Sequence, residues 1–323
     1  MIVRILHHDT IGLVNDAKIL RDALEKLNIK TDCHSYPEGV VIGNKTNHVS
    51  RWSRVRVQIH LEHILQCALS LSDINVYIPN IECMTSRDVT TMKQNTNIIV
   101  FAKTKYTRDI MKSNFPTSVI EYTSWDSVDM YNEKTRRELE CLHVKGISKY
   151  KQSQLVLDTW LKNPQWPHLH FVCHGHENFN GFVRVDRPTK IANNVTLYQW
   201  KISEEQLKYL MNRCVYHICP SLVEGFGHYI NEGLSCNAMT IVPDVAPMNE
   251  LIPIGIPMFD KTEMMEKFGL ATGHRLDEQT FTKLLDALFG IMWIQPPGYS
   301  RKAYLKNKNE FELNMKRVEM YLR

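Results

Sequence analysis

The chain has 323 residues, which exceeds the usual size of one domain and predicts two. Hydrophobic residues make up 43% of the chain and charged residues 23%, which is ordinary for a globular protein. The net charge of +4 is too small to favour nucleic acid as a partner. No apolar run approaches the ~18 residues that a membrane-spanning helix needs.

Cysteine placement and the first residues bear on the compartment. Most of the eight cysteines fall within predicted strands or helices, as small buried side chains do. This pattern predicts free thiols in a reducing environment. A strand pattern begins at Ile2, so we expect no signal peptide and a cytoplasmic protein.

Strand-like and helix-like runs alternate along the first half, which is typical of an α/β domain with a parallel sheet. Strands are predicted at 2–6, 30–35, 55–60, 74–78, 97–101 and 117–121, and helices at 12–28, 86–94 and 105–114. The first helix carries an apolar stripe, the expected buried face, made of Leu13, Ala17, Leu20, Leu24 and Leu27. A charged stretch over 127–140, which carries no apolar periodicity strong enough to demand burial, is predicted to be the linker, and the first domain is predicted to span residues 1–136.

The second half repeats this alternation. Strands are predicted at 141–146, 168–173, 195–198, 215–219, 239–242 and 256–259, and helices at 150–162, 203–213, 228–237 and 278–292. The second domain would span 137–298, and a charged segment over 299–323 reads as a final helix. Ligands of open α/β sheets bind beyond the carboxyl ends of the strands, so two such sheets predict one cleft between the domains.

The most informative segment runs from Ile218 to Asn237. In it, Glu224 and Glu232 flank a Gly-Phe-Gly turn that lies between a predicted strand and a predicted helix. Glycines let the backbone approach a ligand closely, and the free amides at a helix start favour an anion. Two carboxylates beside an anion site suit a phosphate flanked by two hydroxyl-bearing rings, as in a nucleotide sugar.

Pro-Ser-x-x-Glu-Gly-Phe-Gly at 220–227, with a second glutamate eight positions after the first, resembles the signature of retaining GT-B glycosyltransferases, in particular family 4. Residues 143–160 resemble the strand, loop and helix that open the second domain of that family, and 246–251 resemble the turn after the glutamate helix. The N-terminal part resembles the family only in architecture.

This resemblance implies a GT-B fold of two Rossmann-like domains facing an interdomain cleft, with the final helix returning towards the first domain. It implies transfer of a sugar from a nucleoside-diphosphate sugar to a glycan, lipid-linked or other hydroxyl acceptor with retention of configuration. Front-face attack assisted by the leaving phosphate would need no enzymic nucleophile.

The family assigns roles to the acidic residues and to one lysine. Glu232 corresponds to the glutamate on the donor ribose, and Glu224 to the one that contacts the transferred sugar. Lys151 corresponds to a lysine on the diphosphate, where a cation stabilises the leaving group. Without the resemblance, these residues read as a surface carboxylate, a charge that satisfies a helix dipole, and a solvated lysine.

The other donor contacts are expected mostly from backbone. The family has a basic residue five positions before its lysine, but this chain has Gly146 there, and Lys145 or Ser148 would substitute as the second phosphate ligand. Gly225, Phe226 and Gly227 would offer amides or close approach to the phosphates, with Gly12 on the opposite wall. The nucleobase is expected near Gly175 and residues 195–198, including Tyr198.

Histidines and basic residues remain open to two readings. His7 and His8 end the first strand and would contact the sugar or acceptor, or else be structural. Basic residues of two helices would touch a membrane surface or simply be solvated: Lys103, Lys105, Arg108, Lys112, Lys306, Lys308, Lys316 and Arg317.

Two clusters contain soft metal ligands, Cys173-His174-x-His176 and Cys214-x-x-His217-x-Cys219. Alternation along a strand would point the second set to opposite faces, so zinc is disfavoured and no metal or cofactor is expected. Two other functions stay open: a non-catalytic GT-B protein that binds nucleotide sugar or glycan, and a GT-B sugar phosphorylase or epimerase. Nucleobase, sugar, acceptor and oligomeric state are not legible from the sequence.

Overall fold

The computed structural model describes residues 2–36, 52–146, 148–173, 187–199, 202–260, 262–292 and 294–323. The first half contains a six-stranded sheet in the order β2-β1-β3-β4-β5-β6 with all pairs parallel. Its elements are β1 (Ile2–His8), α1 (Ile11–Lys26), β2 (Lys30–Tyr36), β3 (Val55–Leu61), β4 (Ser72–Ile78), α2 (Ser86–Gln94), β5 (Ile99–Ala102), α3 (Lys105–Asn114) and β6 (Ile120–Tyr122), with a 3-10 turn at Gln66–Leu71.

Local sequence explains where these helices begin and which face they bury. The predicted stripe of α1 is buried except at Leu27, where the helix has already ended. Thr85 and Asp88 form a reciprocal capping box at the start of α2. Thr104 accepts a hydrogen bond from the Thr107 amide at the start of α3.

The second half contains another six-stranded sheet, in the order β12-β11-β7-β8-β10-β9, in which only the β9–β10 pair is antiparallel. Its elements are β7 (Glu138–Gly146), α4 (Ser153–Lys162), β8 (Leu169–Cys173), β9 (Thr189–Ala192), β10 (Val195–Tyr198), α5 (Glu204–Arg213), β11 (Cys214–Ile218), α6 (His228–Ser235), β12 (Met239–Ile241), a hairpin β13 (Glu263–Phe268) and β14 (Ala271–Arg275), α7 (Glu278–Gly290) and α8 (Tyr299–Val318).

The structure differs from the predicted elements in four places. The strand predicted at 256–259 is a single bridge between Pro243 and Phe259, because prolines there supply no ladder donors. The strands β9, β13 and β14 went unpredicted. Their residues are too polar, or their runs too short, to stand out by alternation.

The predicted linker at 127–140 is not simply solvated. Strand β7 already begins at Glu138, and Ser127 is buried. The Met130 amide donates to Ser235 Oγ (3.0 Å), and the Arg137 guanidinium donates to the carbonyls of Cys214 and Cys236. Hydrogen bonding to backbone, which leaves no apolar period in the sequence, holds this segment on the second sheet.

One apolar cluster joins the two halves. It contains core residues of β1, β3 and α1 together with Phe226 and Ile230 around the start of α6, and Tyr304 and Phe311 of α8. The α8 helix also donates from Arg317 to the Tyr122 carbonyl (2.7 Å) and pairs Glu312 with Lys26 (2.5 Å).

Loops of the second half also dock on the first. The Glu250 carboxylate accepts from the amides of Lys105 (2.8 Å) and Tyr106 (2.7 Å), the first residues of α3. The Leu270 amide donates to the Ile81 carbonyl (2.8 Å), next to Gly269 at φ +55°. No helix within the described ranges is both long and apolar enough to cross a bilayer.

Candidate active site

The strand order of each sheet reverses once, between β1 and β3 in the first and between β11 and β7 in the second. The loops after these four strands all border one cavity of about 340 Å³. A reversal point leaves a crevice at the carboxyl ends of the strands, where open α/β sheets bind their ligands. The two crevices therefore face each other across a shared space.

Most of the predicted donor-site residues line this cavity. They are Gly12, Gly146, Lys151, Glu224, Gly225, Phe226, Gly227 and Glu232. Lys151 thus meets Glu224 and Glu232, which lie 73 and 81 positions further along the chain, because the sheet places β7 beside β11. The structure brings the predicted lysine and both predicted glutamates to one hollow.

The loop that carries Lys151 is bonded to the motif strand. The Leu222 amide donates to the Tyr150 carbonyl (2.7 Å), and the Gln152 side chain donates to the Pro220 carbonyl (2.7 Å). Gln152 adopts a left-handed conformation with φ +45°, which turns the chain into α4. This bonding fixes Lys151 relative to the glutamates.

Lys151 is nearly buried, with 14% of its side chain exposed. Its ammonium lies 3.1 Å from the centre of the Tyr229 ring and 4.0 Å from Glu224 Oε1. Burial lowers the pKa of Lys151, while Glu224 and Glu232 act in the opposite direction. The Lys151 ammonium therefore borders the cavity, and among the described residues it has no close bidentate partner.

The serine of the motif, Ser221, forms hydrogen bonds with two side chains of the site. Its hydroxyl donates to Glu224 Oε1 (2.6 Å), so its oxygen accepts from the Tyr229 hydroxyl (2.6 Å). Ser221 is fully buried. One hydroxyl therefore orients both the first glutamate and the ring under Lys151.

The Gly-Phe-Gly turn leads directly into α6. Gly227 is the N-cap with φ +93°, a left-handed conformation that glycine adopts without strain. Glu232 lies a little over one turn inside the helix. Burial raises the pKa of Glu232, against the effects of His228 and Lys151. The free amides at the helix start and the Glu232 carboxylate border the same space.

Gly225 has a second reason to lack a side chain. A Cβ built on it would lie 2.8 Å from Asn80 Oδ1 and 2.8 and 2.9 Å from the Glu82 carboxyl oxygens. The first half therefore presses on the turn at this position, which the sequence reading had explained only by ligand approach.

The sequence analysis did not identify the buried Asp16 carboxylate of α1, which accepts hydrogen bonds from three side chains on the first-half side of the cavity. It accepts from Lys103 Nζ (2.6 Å), Trp125 Nε1 (2.5 Å) and His228 Nε2 (2.9 Å), and the His228 ring then accepts from Ser127 Oγ (3.1 Å). Burial alone would raise the pKa of Asp16, but Lys103 and His228 outweigh it and hold the pKa below its usual value.

A second missed group is Glu62, Asn80 and Glu82, which also line the cavity. The Asn80 amide donates to Glu62 Oε2 (2.7 Å) and accepts from Lys103 (3.0 Å). Burial and the nearby carboxylates of Glu224 and Glu62 raise the pKa of Glu82 to about 8. These residues follow strands β3 and β4, so the rule that ligands bind at carboxyl ends could have found them.

Several predicted contacts lie away from the cavity lining. Lys145 is buried in β7, Ser148 Oγ accepts from the Tyr150 amide (3.2 Å), and neither residue lines the cavity. The Tyr198 hydroxyl bonds His170 Nδ1 (3.0 Å) within an apolar cluster. The basic groups that line the cavity beside Lys151 are Lys103 and His228.

The two histidines of β1 are also outside the lining. His7 Nδ1 bonds the His8 carbonyl (2.7 Å), and the His8 ring packs 4.6 Å from the Tyr36 ring. Both residues belong to β1, and their side chains are buried. Gly175, predicted near the nucleobase, falls outside the described residues, as do His174 and His176.

Cys214 approaches different residues from those of its sequence cluster. It lies with Glu140 and His170 in a group whose ligand atoms are within 4.8 Å of one another. The Glu140 carboxylate already pairs with Arg213 (2.6 and 2.9 Å) and with His170 (2.9 Å). A guanidinium thus balances the charge that a metal ion would otherwise take up.

Solved structures with this architecture are GT-B glycosyltransferases. The chain is similar to sucrose-phosphate synthase from Thermosynechococcus elongatus, with a TM-score of 0.68 and 10% identity over 100% of this chain and 99% of that one. It is similar to HepE from Anabaena in complex with UDP-glucose, with a TM-score of 0.62 and 12% identity over 100% and 99%.

A third similar structure is the pneumococcal O-GlcNAc transferase GtfA in complex with UDP and GlcNAc. Its TM-score is 0.59 at 13% identity, over 89% of this chain and 61% of that one. A scan against family models and a search of curated proteins both find no match. The chain has the GT-B fold, with two Rossmann-like sheets facing a cleft, as its motifs predicted.

Proposed function

We propose that this protein is a retaining glycosyltransferase that uses a nucleoside-diphosphate sugar. The observation that carries the proposal is the convergence of Lys151, the Gly-Phe-Gly turn, Glu224 and Glu232 on one cavity. Their order along the cavity suits a donor whose diphosphate lies at the start of α6. Among the similar folds, HepE and GtfA hold UDP, so we propose uracil as the base.

Each group has a defined task in this proposal. Glu232 accepts hydrogen bonds from the ribose hydroxyls. The amides of Phe226 and Gly227 and the Lys151 ammonium bind the diphosphate oxygens, where they stabilise charge that grows as the glycosidic bond breaks. Glu224, oriented by Ser221, contacts the transferred sugar and the positive charge that develops at its anomeric carbon.

The reaction would proceed by front-face attack. The acceptor oxygen bonds the anomeric carbon on the side that the diphosphate leaves, and the electron pair of the broken bond goes to a diphosphate oxygen. That oxygen takes the acceptor proton, so no basic side chain is consumed. Most of the rate enhancement would come from positioning and electrostatics.

A melting-temperature screen tests the donor. We expect UDP-sugars to stabilise the protein more than GDP- or ADP-sugars, by ~2.7 kcal/mol at one hundred times the dissociation constant. Glu232→Ala should remove most of this shift, because a charged hydrogen bond contributes ~1.5–3 kcal/mol. Glu133, an exposed residue of the segment before β7, provides the control: Glu133→Ala should keep the full shift.

Turnover measurements distinguish the proposed glycosyltransferase from a non-catalytic binding protein and from a phosphorylase. Release of UDP with an anomerically retained product supports it. Binding of UDP-sugar without any turnover would favour a non-catalytic binding protein, and dependence on inorganic phosphate would favour a phosphorylase. An unshifted melting temperature with every nucleotide sugar would remove the donor site altogether.

A further inference from the structure

The wall of the cavity opposite the donor motif has a charge pattern of its own. Three of its side chains, Asp16, Glu62 and Glu82, are acidic, and one lysine, Lys103, lies among them. Lys103 donates to Asp16 (2.6 Å) and to Asn80 (3.0 Å), so one cation faces three carboxyl groups on this wall.

Glu82 is the residue of this wall that is incompletely satisfied. Its Oε2 atom is buried and has no hydrogen-bond partner among the residues that the structure describes. Both of its carboxyl oxygens lie against Gly225, within the turn assigned to the donor. Because a buried acceptor without a partner is unfavourable and Glu82 lines the cavity, a ligand that donates a hydrogen bond here would supply the missing partner.

Glu62 is held in position beside it. The residue has φ +67°, a conformation that non-glycine residues rarely adopt, and it directly follows β3 at the cavity edge. Asn80 donates to its carboxylate and also lies within reach of Gly225. The geometry of the wall is therefore fixed by protein contacts before any ligand binds.

The electrostatics of the wall favour one kind of ligand. Burial first, and then repulsion from the carboxylates of Glu224 and Glu62, raises the pKa of Glu82, while Lys103 acts in the opposite direction. An anionic group placed there would meet the same repulsion. Sugar hydroxyls can donate to carboxyl oxygens and accept from a protonated carboxyl, which makes them complementary in either state of Glu82.

From these observations we propose that Glu62, Asn80 and Glu82 form the acceptor subsite, and that it takes an uncharged, polyhydroxylated group rather than a phosphorylated or otherwise anionic one. This inference rests on the proposed function, because it places the acceptor opposite the donor. Glu82 and Glu62 act in it as positioning residues that accept hydrogen bonds from acceptor hydroxyls.

Transfer to a small panel of acceptors tests it. The probes are glucose, galactose and octyl β-glucoside as neutral acceptors and glucose 6-phosphate as the anionic one, each with the donor found by melting temperature. The measured quantity is the rate at which the nucleoside diphosphate is released, above the rate without any acceptor. We expect stimulation by neutral probes and at least tenfold lower kcat/KM for glucose 6-phosphate.

Variants then locate the effect on this wall. Glu82→Gln should raise the acceptor KM about tenfold or more while leaving the donor KM unchanged, and Glu133→Gln should behave as wild type. The double variant Glu62→Gln, Glu82→Gln should lose at least tenfold of the selectivity against glucose 6-phosphate. If Glu82→Gln folds poorly, Glu62→Gln alone provides the same comparison.

The outcomes separate the two proposals. Glucose 6-phosphate used as well as the neutral probes would overturn the acceptor assignment, and so would the absence of stimulation by every neutral probe while donor hydrolysis continues. An unchanged acceptor KM in the variants would also overturn it. If the protein neither bound a nucleotide sugar nor released a nucleoside diphosphate, this would instead contradict the proposed function.

Discussion

A single hydroxyl connects three functional groups of the cavity. Ser221 donates to Glu224 and accepts from Tyr229, whose ring lies under the Lys151 ammonium. Removing the hydroxyl leaves all three side chains in place but frees two of them to rotate. Its effect should therefore fall on the geometry of the reaction more than on donor affinity.

The substitution Ser221→Ala would remove both of these hydrogen bonds. We expect kcat to fall roughly tenfold to hundredfold, since small displacements of positioned groups are costly, while the donor dissociation constant changes less than threefold. Steady-state kinetics and a melting-temperature titration measure the two quantities. Ser113→Ala, on the exposed face of α3, is the matched control, and an equal loss in both variants would contradict the role.

Glu82 provides a prediction about pH. Its pKa rises from an ordinary 4.5 to about 8 in the folded protein. A raised pKa means that the folded state holds the proton more tightly, so the stability it contributes is full below pH 4.5 and is lost as the pH rises to 8. Glu82→Gln carries no such charge and should lack this component.

Denaturant unfolding at several pH values checks this expectation. The free energy of unfolding of Glu82→Gln, relative to wild type, should increase between pH 5 and pH 8 by at least about 1 kcal/mol and then level off. Glu133→Gln should follow wild type throughout. A constant difference between Glu82→Gln and wild type across this range would show that the carboxyl is already ionised at pH 5.

At the scale of elements, helix α6 presents its first residues and Glu232 to the cavity. It packs closely on the second sheet, because a Cβ on Gly233 would lie 2.8 Å from His217 Nδ1 and 2.8 Å from Thr240 Oγ1. The His217 ring cannot easily withdraw, since its Nε2 bonds the Met211 carbonyl (3.0 Å). The depth of α6 in the cleft is therefore set by a glycine on its inner face.

Gly233→Ala should disturb this packing. We expect a loss of ~1–3 kcal/mol in unfolding free energy, as for other overpacked positions, together with weaker donor binding because α6 shifts outward. Gly290→Ala at the end of α7 is the control, because a Cβ there meets nothing within 4 Å. Equal stability of the two variants would contradict the close packing of α6.

The order of elements and the group formed by Lys151, Glu224 and Glu232 were predictable from sequence. Apolar periodicity predicted α1, and the motif around Glu224 and Glu232 predicted its strand, turn and helix in the correct order. The opposite wall of the cavity was not predictable, because Glu62 and Glu82 are single polar residues in loops. Only the crossing of two sheets makes them neighbours of Gly225.

The hairpin β13–β14 and the segment before β7 were missed for another reason. Backbone hydrogen bonds hold both, as between Leu270 and Ile81, and such bonds leave no side-chain pattern. His7 and His8 were placed near the cleft because they end a strand. Strand β1 does end at His8, but the His8 ring packs against Tyr36 and neither histidine lines the cavity.

At the scale of the whole molecule, the two halves are held in contact beside the cavity. Glu250 accepts from the first amides of α3, and the Asp16 carboxylate of α1 accepts from His228 at the start of α6. Both contacts cross the cleft and involve a helix start or its neighbour. They would form on closure and break on opening.

Glu250→Ala should favour the open arrangement. Loss of a cap costs ~0.5–2 kcal/mol, and here the cost falls on the contact between the halves. Small-angle scattering without donor should give a larger radius of gyration than wild type, and saturating UDP-sugar should reduce the difference. Glu133→Ala should match wild type, and identical scattering of all three proteins would exclude Glu250 as a closure contact.

The cap that Glu250 provides has a consequence for protein engineering. Thr104 accepts from the Thr107 amide of α3, but the amides of Lys105 and Tyr106 are bonded by a carboxylate from the other half of the chain, so the start of α3 depends on both halves. A chimera that joined a foreign second half to this first half would leave those two amides without their carboxylate unless it carried an acidic residue at that turn. Exchanging halves between proteins of this fold would therefore require transferring the residues of this contact as well.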